Sequence, residues 1–454
     1  MKFIYIVVIL LVAFPGLCFS KNDTDQKTIT RLEDPVVVVG KYLKLMVGVN
    51  PEELSLMAYL NGKYMPVPFQ IDQRYPNGEY AYTHGKKAKE DLDPFFDEND
   101  ELVFMIDDLG NKAPIGMKPS GVVNAVEIKI IDPVDLTYGW VYLFHYSNVP
   151  PRANMKYVDF LSNFKTNRFQ VITHTSLGTG YILGGELNAC VFDEGRIGYT
   201  DGKMSPDFLD RMKLRGKIYP TCFFPFDLKI DVSLQENLDA WIEGPVRVIY
   251  HGDGYLKIVH LKIPINAESC TKYYRNHMNW RLDICLPFKL KNLVRRFPLT
   301  GLLDFNENIT GARAYTNANP ISADIILDGR ISKAERLLDF DSDCKWIAGI
   351  NDFGGLVFRL LYSQTWSNVR LKLCLREDLN SREQPEDDPG EIAIGLNFQG
   401  VENVDSNMMG FNTIFFLLPH FKAGEENAII KIHDYPVETQ CTDWRFMAAN
   451  DEKM

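Results

Sequence analysis

Apolar positions along this chain recur mostly with a period of two, in short runs separated by glycine, proline, asparagine and aspartate. The clearest run is 122–131, where Val126, Ile128 and Ile130 alternate with Glu127 and Lys129. That spacing turns one face of a strand to a core and the other to water. Residues 140–146 follow after Asp132-Pro133 and predict a neighbouring strand. The same reasoning predicts strands at 36–39, 43–49, 54–60, 169–173, 228–232, 246–250, 255–263, 321–327, 356–361, 369–375, 392–398, 413–418 and 428–432. His251-Gly252-Asp253-Gly254 predicts a tight hairpin between 246–250 and 255–263, because its glycines can supply the positive φ of such a turn. Helical periodicity is confined to 206–213 and 331–338, without the strand–helix alternation of a parallel α/β sheet. The expected fold is mainly β: an antiparallel β-sandwich, or two packed β-sandwich domains, with a few short helices.

The N-terminus reads differently. Lys2 precedes an apolar run over 3–14, Pro15 and Gly16 break it, and Cys18 and Ser20 stand at the −3 and −1 positions of a cut before Lys21. This is the pattern of a secretory signal peptide over 1–20, and its apolar stretch is shorter than the roughly 20 residues of a spanning helix. No later run reaches that length, so no transmembrane segment is expected and the protein is expected to be secreted: periplasmic, cell-surface or extracellular. Residues 147–154 lack periodicity and divide an N-terminal β domain with an acidic loop (21–150) from a larger β-sandwich region (151–454). The acidic stretch 376–391 is a candidate interruption of the latter.

Charge narrows the partners. Sixty Asp and Glu against 49 Lys and Arg give a net charge of −11, which excludes a nucleic-acid binder that works by neutralising phosphates. Loss of Cys18 with the leader leaves seven of the eight cysteines, an odd number in an oxidising compartment. Cys270–Cys285 and Cys344–Cys374 are the nearest pairs in sequence if bridges form, and a leftover thiol allows a disulfide-linked or envelope partner. There is no haem, nucleotide or zinc motif, and no GxSxG or HExxH hydrolase signature.

Two stretches could carry chemistry. In the acidic loop, Asp93, Asp97, Asn99 and Glu101 offer hard oxygens suited to calcium, although the sixth-position glycine and flanking helices of an EF-hand are missing. The competing expectation is that these acids only form turns. In the second stretch, Tyr273, Trp280 and Arg281 are candidate ligand-binding residues lining a cleft. A polysaccharide lyase needs a base and a positive group to stabilise the anion formed beside a carboxylate; His251, Tyr274, Arg275 and His277 are the catalytic candidates. A glycosidase needs two carboxylates at a set separation, and among 60 acids spacing selects none.

The segments PVPFQID (66–72), DENDELVFMIDDLG (97–110), GWVYLF (139–144) and GPVRVIYHGDG (244–254) resemble those of secreted, β-rich bacterial proteins. A subset with a P-x-Q-x-D strand followed by DELVF accompanies enzymes that degrade plant or microbial polysaccharides. The resemblance implies a sandwich-like fold and a glycan-linked role, and carries over no catalytic residue. The expected function is binding or processing of glycans at or outside the cell surface. The alternative is a non-enzymatic structural or interaction protein of the envelope or extracellular matrix.

Overall fold

The computed structural model describes residues 25–89, 93–175, 178–187, 192–199, 201–221, 230–258, 261–286, 289–382, 389–419 and 421–444. The expected leader 1–20 lies outside them, as do Cys18, Cys190 and Cys222. Strands dominate and pair antiparallel, with two α-helices among the described residues, Leu290–Leu293 and Glu426–Asp434. The fold class expected from the two-residue period is the one observed.

A fifteen-stranded sheet forms most of the molecule. Its path runs from Ile325–Leu327 through Ala312–Thr316, Ile347–Asn351, Gly354–Tyr362, Met408–Leu418 and His277–Cys285 to Leu261–Tyr274. It continues through Arg247–Ile258, Ile230–Glu243, Leu209–Pro220, Leu299–Phe305 and Glu391–Gln399 to Arg370–Asp378. The two ends meet. Arg330, just past the first strand, bridges Asp378 on the last; Asp343 bridges Lys372; and the Cys344 N–H donates to the Leu371 carbonyl at 2.8 Å. Neighbouring strands rotate by about 20–25°, so a sheet this wide curls. Its inner face buries Tyr250, Tyr273, Met278, Leu303, Phe358, Phe398 and Phe411 in one core. A four-stranded meander, Val158–Asn163 to Phe192–Ile197, adds Phe160, Phe169 and Tyr181 to it.

The first part of the chain builds two smaller sheets. Pro35–Val39, Glu101–Met105 and Gln70–Asp72 form one; Val122–Ile131, Tyr138–Tyr146, Leu54–Leu60 and Lys63–Pro66 lie in the other. They enclose a separate core containing Val36, Leu56, Phe104, Ile128 and Leu143. The fifth strand of the second sheet, Glu438–Asp443, comes from the far end of the sequence and pairs with Val122–Ile131. The acidic stretch 376–391 begins and ends in the paired strands Arg370–Asp378 and Glu391–Gln399, with 383–388 outside the described residues.

Several local expectations are corrected. No hairpin forms at His251–Gly254: the strand Arg247–Ile258 runs straight through it, and neither glycine has a positive φ. The glycines make room instead. A Cβ at 252 would lie 2.9 Å from Ser269 Oγ and 3.1 Å from Glu236 Oε2, and one at 254 would lie 2.8 Å from Ala267 Cβ. Residues 428–432 fall in the helix Glu426–Asp434, because Ile429 and Ile432, three apart, bury on one side while Glu426 accepts from Tyr315 Oη at 2.9 Å. The expected helix at 206–213 enters the strand Leu209–Pro220, which has a paired neighbour on each side. The helix expected at 331–338 is a single 3₁₀ turn, Glu335–Leu337, and the strand expected at 43–49 contains the 3₁₀ turn Lys44–Met46. Neither Cys270–Cys285 nor Cys344–Cys374 is a bridge: among the described residues these four and Cys441 form no disulfide. No helix among the described residues is long and apolar enough to cross a membrane.

Candidate functional site

The strand Arg247–Ile258 has two unlike faces. Val248 and Tyr250 point into the large core, whereas Arg247, Ile249 and His251 face the N-terminal sheets. Arg247 is fully buried. Its Nε donates to Asp72 Oδ2 at 2.9 Å, one terminal nitrogen lies 2.5 Å from Glu101 Oε2, and the other donates to Tyr274 Oη at 2.9 Å. A buried guanidinium is tolerated only when its donors meet charged or polar acceptors, and these come from three separate strands. Gln70 locks the joint: its Oε1 accepts from the Arg247 N–H at 3.0 Å, and its Nε2 donates to Asp72 Oδ1 at 2.5 Å. Gly244 is required here, since a Cβ would fall 1.9 Å from Gln70 Oε1. The PVPFQID, DELVF and GPVRV segments therefore meet one another at the seam between the N-terminal sheets and the large sheet.

Beside this seam lies an open groove of about 690 Å³. One wall is the segment from Arg74 to Lys89, which contributes Tyr75, Tyr80 and Tyr82; the other is the outer face of the large sheet, with His251, Glu268, Lys272, Asn279, Arg281 and Asp283. The Tyr80 ring sits between cations, 5.0 Å from the Arg74 guanidinium and 5.2 Å from Lys272 Nζ, and its hydroxyl donates to Glu101 Oε2 at 2.9 Å. Burial pushes the Tyr80 hydroxyl up to about 12. Burial also drives Glu101 upward, but the Arg247 and Lys272 charges more than reverse this and hold it below the ordinary glutamate range.

At one end of the groove a β-bulge between Leu238 and Ala240, opposite Gly252 and His251, turns out Asp239, whose carboxylate gathers with His251 and Asp253. Lys87 Nζ approaches Asp253 at 2.6 Å and Asp239 at 3.6 Å. Burial and a proton shared with Asp253 raise Asp239 to about 6. Burial and the Lys87 charge lower His251, leaving its imidazole neutral at pH 7.

The candidates from the sequence divide. His251 and Arg281 line the groove. Tyr273 is stacked on Tyr250 in the large core, with centroids 6.2 Å apart, and Trp280 turns inward to donate to Glu236 Oε1 at 2.9 Å. Tyr274 serves Arg247, and His277 is buried between Tyr274 and Phe416. Arg275 donates to the Leu32 carbonyl at 2.8 Å and pairs with Asp107 at 3.3 Å. In the acidic loop, Asp93 and Asp97 accept the backbone N–H groups of Phe95 and Asn99, and the Asn99 amide donates to the Arg74 carbonyl. Glu101 faces away from them, toward Arg74 and Arg247. Sequence reasoning missed Tyr75, Tyr80, Tyr82 and Lys87, although tyrosines and lysines concentrate over 74–89. No family model and no curated protein matches this chain.

Proposed function

We propose that the groove binds glycan chains, preferentially those carrying carboxylates, and that the protein does so outside the cytoplasm. The observation that supports this reading is the pairing of three tyrosines on one wall with acidic and basic side chains together on the other. Aromatic faces pack against the C–H surface of a sugar ring, while convergent polar groups fix its orientation. Arg74, Lys87, Lys89, Lys272 and Arg281 gather five cations at this one groove, against Glu79, Glu101, Glu268 and Asp283, in a chain of net charge −11. Arginine and lysine bind carboxylates through charge-assisted hydrogen bonds. Export is supported by the pattern of residues 1–20. For processing as well as binding, the acids free of the Arg247 joint are Glu79, Glu268 and Asp283, and the groove base is His251.

The test is calorimetric titration of the full chain with neutral and uronate oligosaccharides, alongside mass spectrometry of products. Uronate binding weakened at least tenfold by Arg281→Ala is expected, since a hydrogen bond to a charged group contributes about 1.5–3 kcal/mol, and Tyr82→Ala is expected to weaken neutral and uronate chains alike by removing an aromatic face. Absence of binding to every glycan at millimolar concentration would leave the structural or interaction role as the better reading.

A further inference from the structure

We infer that Asp239, His251 and Asp253 form a site for a first-row divalent cation, zinc being the best fit. Each supplies one ligand atom, and the three atoms lie within 4.8 Å of one another. Zinc bonds of about 2.0–2.2 Å to nitrogen and carboxylate oxygen would draw them somewhat closer, a change within reach of small side-chain rotations. One imidazole with two carboxylates suits zinc better than calcium, which prefers six or more oxygens. Three protein ligands also leave a position open toward the groove, as in zinc sites that handle a substrate.

The backbone holds the cluster in place. Asp239 stands on the bulge, and its carbonyl accepts the Lys86 N–H at 2.6 Å and the Lys87 N–H at 3.3 Å. Gly85, at φ +95°, permits that approach, because a Cβ there would fall 2.2 Å from the Asp239 oxygen. A second, independent observation points to a missing partner: His251 Nδ1 is buried and makes no hydrogen bond. Water or an ion is the partner that such a buried nitrogen lacks. Lys87, on a flexible stem that is about half exposed, is the cation now facing both carboxylates, and a divalent ion would displace it. Glu268, cross-strand neighbour of Asp253, adds negative charge beside the cluster. The ligands come from two adjacent strands, so no spaced motif announces them. The inference rests on this cluster alone and stands whether or not the groove takes a glycan.

The experiment is equilibrium dialysis of the full chain against zinc, manganese and calcium, with metal per chain measured by mass spectrometry and melting followed in parallel. One zinc per chain is expected, lost in Asp239→Asn and in His251→Gln, with affinity raised at least tenfold in Lys87→Met. The metal-free melts of the variants show that each folds. Stoichiometric zinc in neither the native chain nor Lys87→Met would overturn the site. So would zinc retained in both Asp239→Asn and His251→Gln, which would place the metal on other ligands such as cysteine thiols. Calcium uptake abolished by Asp97→Asn, without zinc uptake, would move the cation to the acidic loop and overturn it equally.

Discussion

Two glutamates are buried against opposite faces of the same pair of strands, Arg247–Ile258 and Leu261–Tyr274, and the fold treats them in opposite ways. On the outer side Glu101 meets the guanidiniums of Arg247 and Arg74. On the inner side, among the described residues, Glu236 meets neutral donors: Ser269 Oγ at 2.6 Å, Tyr250 Oη at 2.9 Å and Trp280 Nε1 at 2.9 Å. Desolvation penalises both carboxylates. Cations outweigh it for Glu101, which is held below the ordinary value of 4.5, whereas for Glu236 the neutral donors do not, and burial raises it. The difference teaches that the neutral hydrogen bonds to Glu236 offset only part of its desolvation, whereas the cations beside Glu101 more than reverse the desolvation there.

The two sites therefore give pH dependence of opposite sign. Glu101, depressed in the folded state, contributes stability above its unfolded value near 4.5 that is lost as pH falls through the lower folded value. Glu236, raised in the folded state, favours folding below 4.5, and that contribution is lost as pH rises through the higher folded value.

The largest expected effect comes from removing the shared cation. Arg247→Met strands Asp72 and Glu101 in the seam and is expected to cost about 3–5 kcal/mol at pH 7, the range for breaking a buried ion pair. Urea unfolding measures it; a loss under about 1 kcal/mol would mean that the carboxylates are hydrated. Next is Gly252→Ala, whose Cβ would press on Ser269 and Glu236. A loss of about 1–3 kcal/mol is expected from overpacking, and a neutral result would detach this glycine from the inner cluster. Glu236→Gln is expected to be milder and opposite in sign. The amide oxygen can accept from Trp280 while its nitrogen donates to the Ser269 and Tyr250 oxygens, so stability well above pH 4.5 should rise by about 1 kcal/mol. Its pH profile should also lose the alkaline decline, and an unchanged profile would place that decline elsewhere. The smallest effect is a reactivity contrast. At least five thiols should titrate per chain in denaturant without reductant, and in the native state Cys344 and Cys441 should label slowly at pH 8, because burial pushes them up to about 12 and about 11. Fast native labelling of both would contradict the packing around them.

What could be read from the sequence follows from the same contrast between faces. The run 122–131 lands on its strand because one side packs into a core, which leaves a period-two trace. The apolar run 428–432 is too short to separate strand from helix without knowing that Ile429 and Ile432 share a buried side. Gly252 and Gly254 were misjudged because glycine serves both turns and close packing, and only a neighbour such as Ser269 distinguishes the two. Arg247, flanked by valines, reads as the solvent side of a strand; its partner Asp72 lies 175 residues away. The groove was half visible: His251 and Arg281 were singled out, but Trp280 and Tyr273 share their segment while facing the opposite side of the sheet. Asp239 left no signal at all, because a bulge depends on pairing.

The strand Glu438–Asp443 sets a schedule for the ribosome. Its partner Val122–Ile131 is synthesised roughly 300 residues earlier, so at about 5–20 residues per second the nascent chain carries an open sheet edge for roughly 15–60 s. An unpaired edge is a template for association with other chains. The N-terminal sheets can gain their core early, but they stay unsealed until Glu438–Asp443 has been made, and a holdase acting on that edge would have its effect before then.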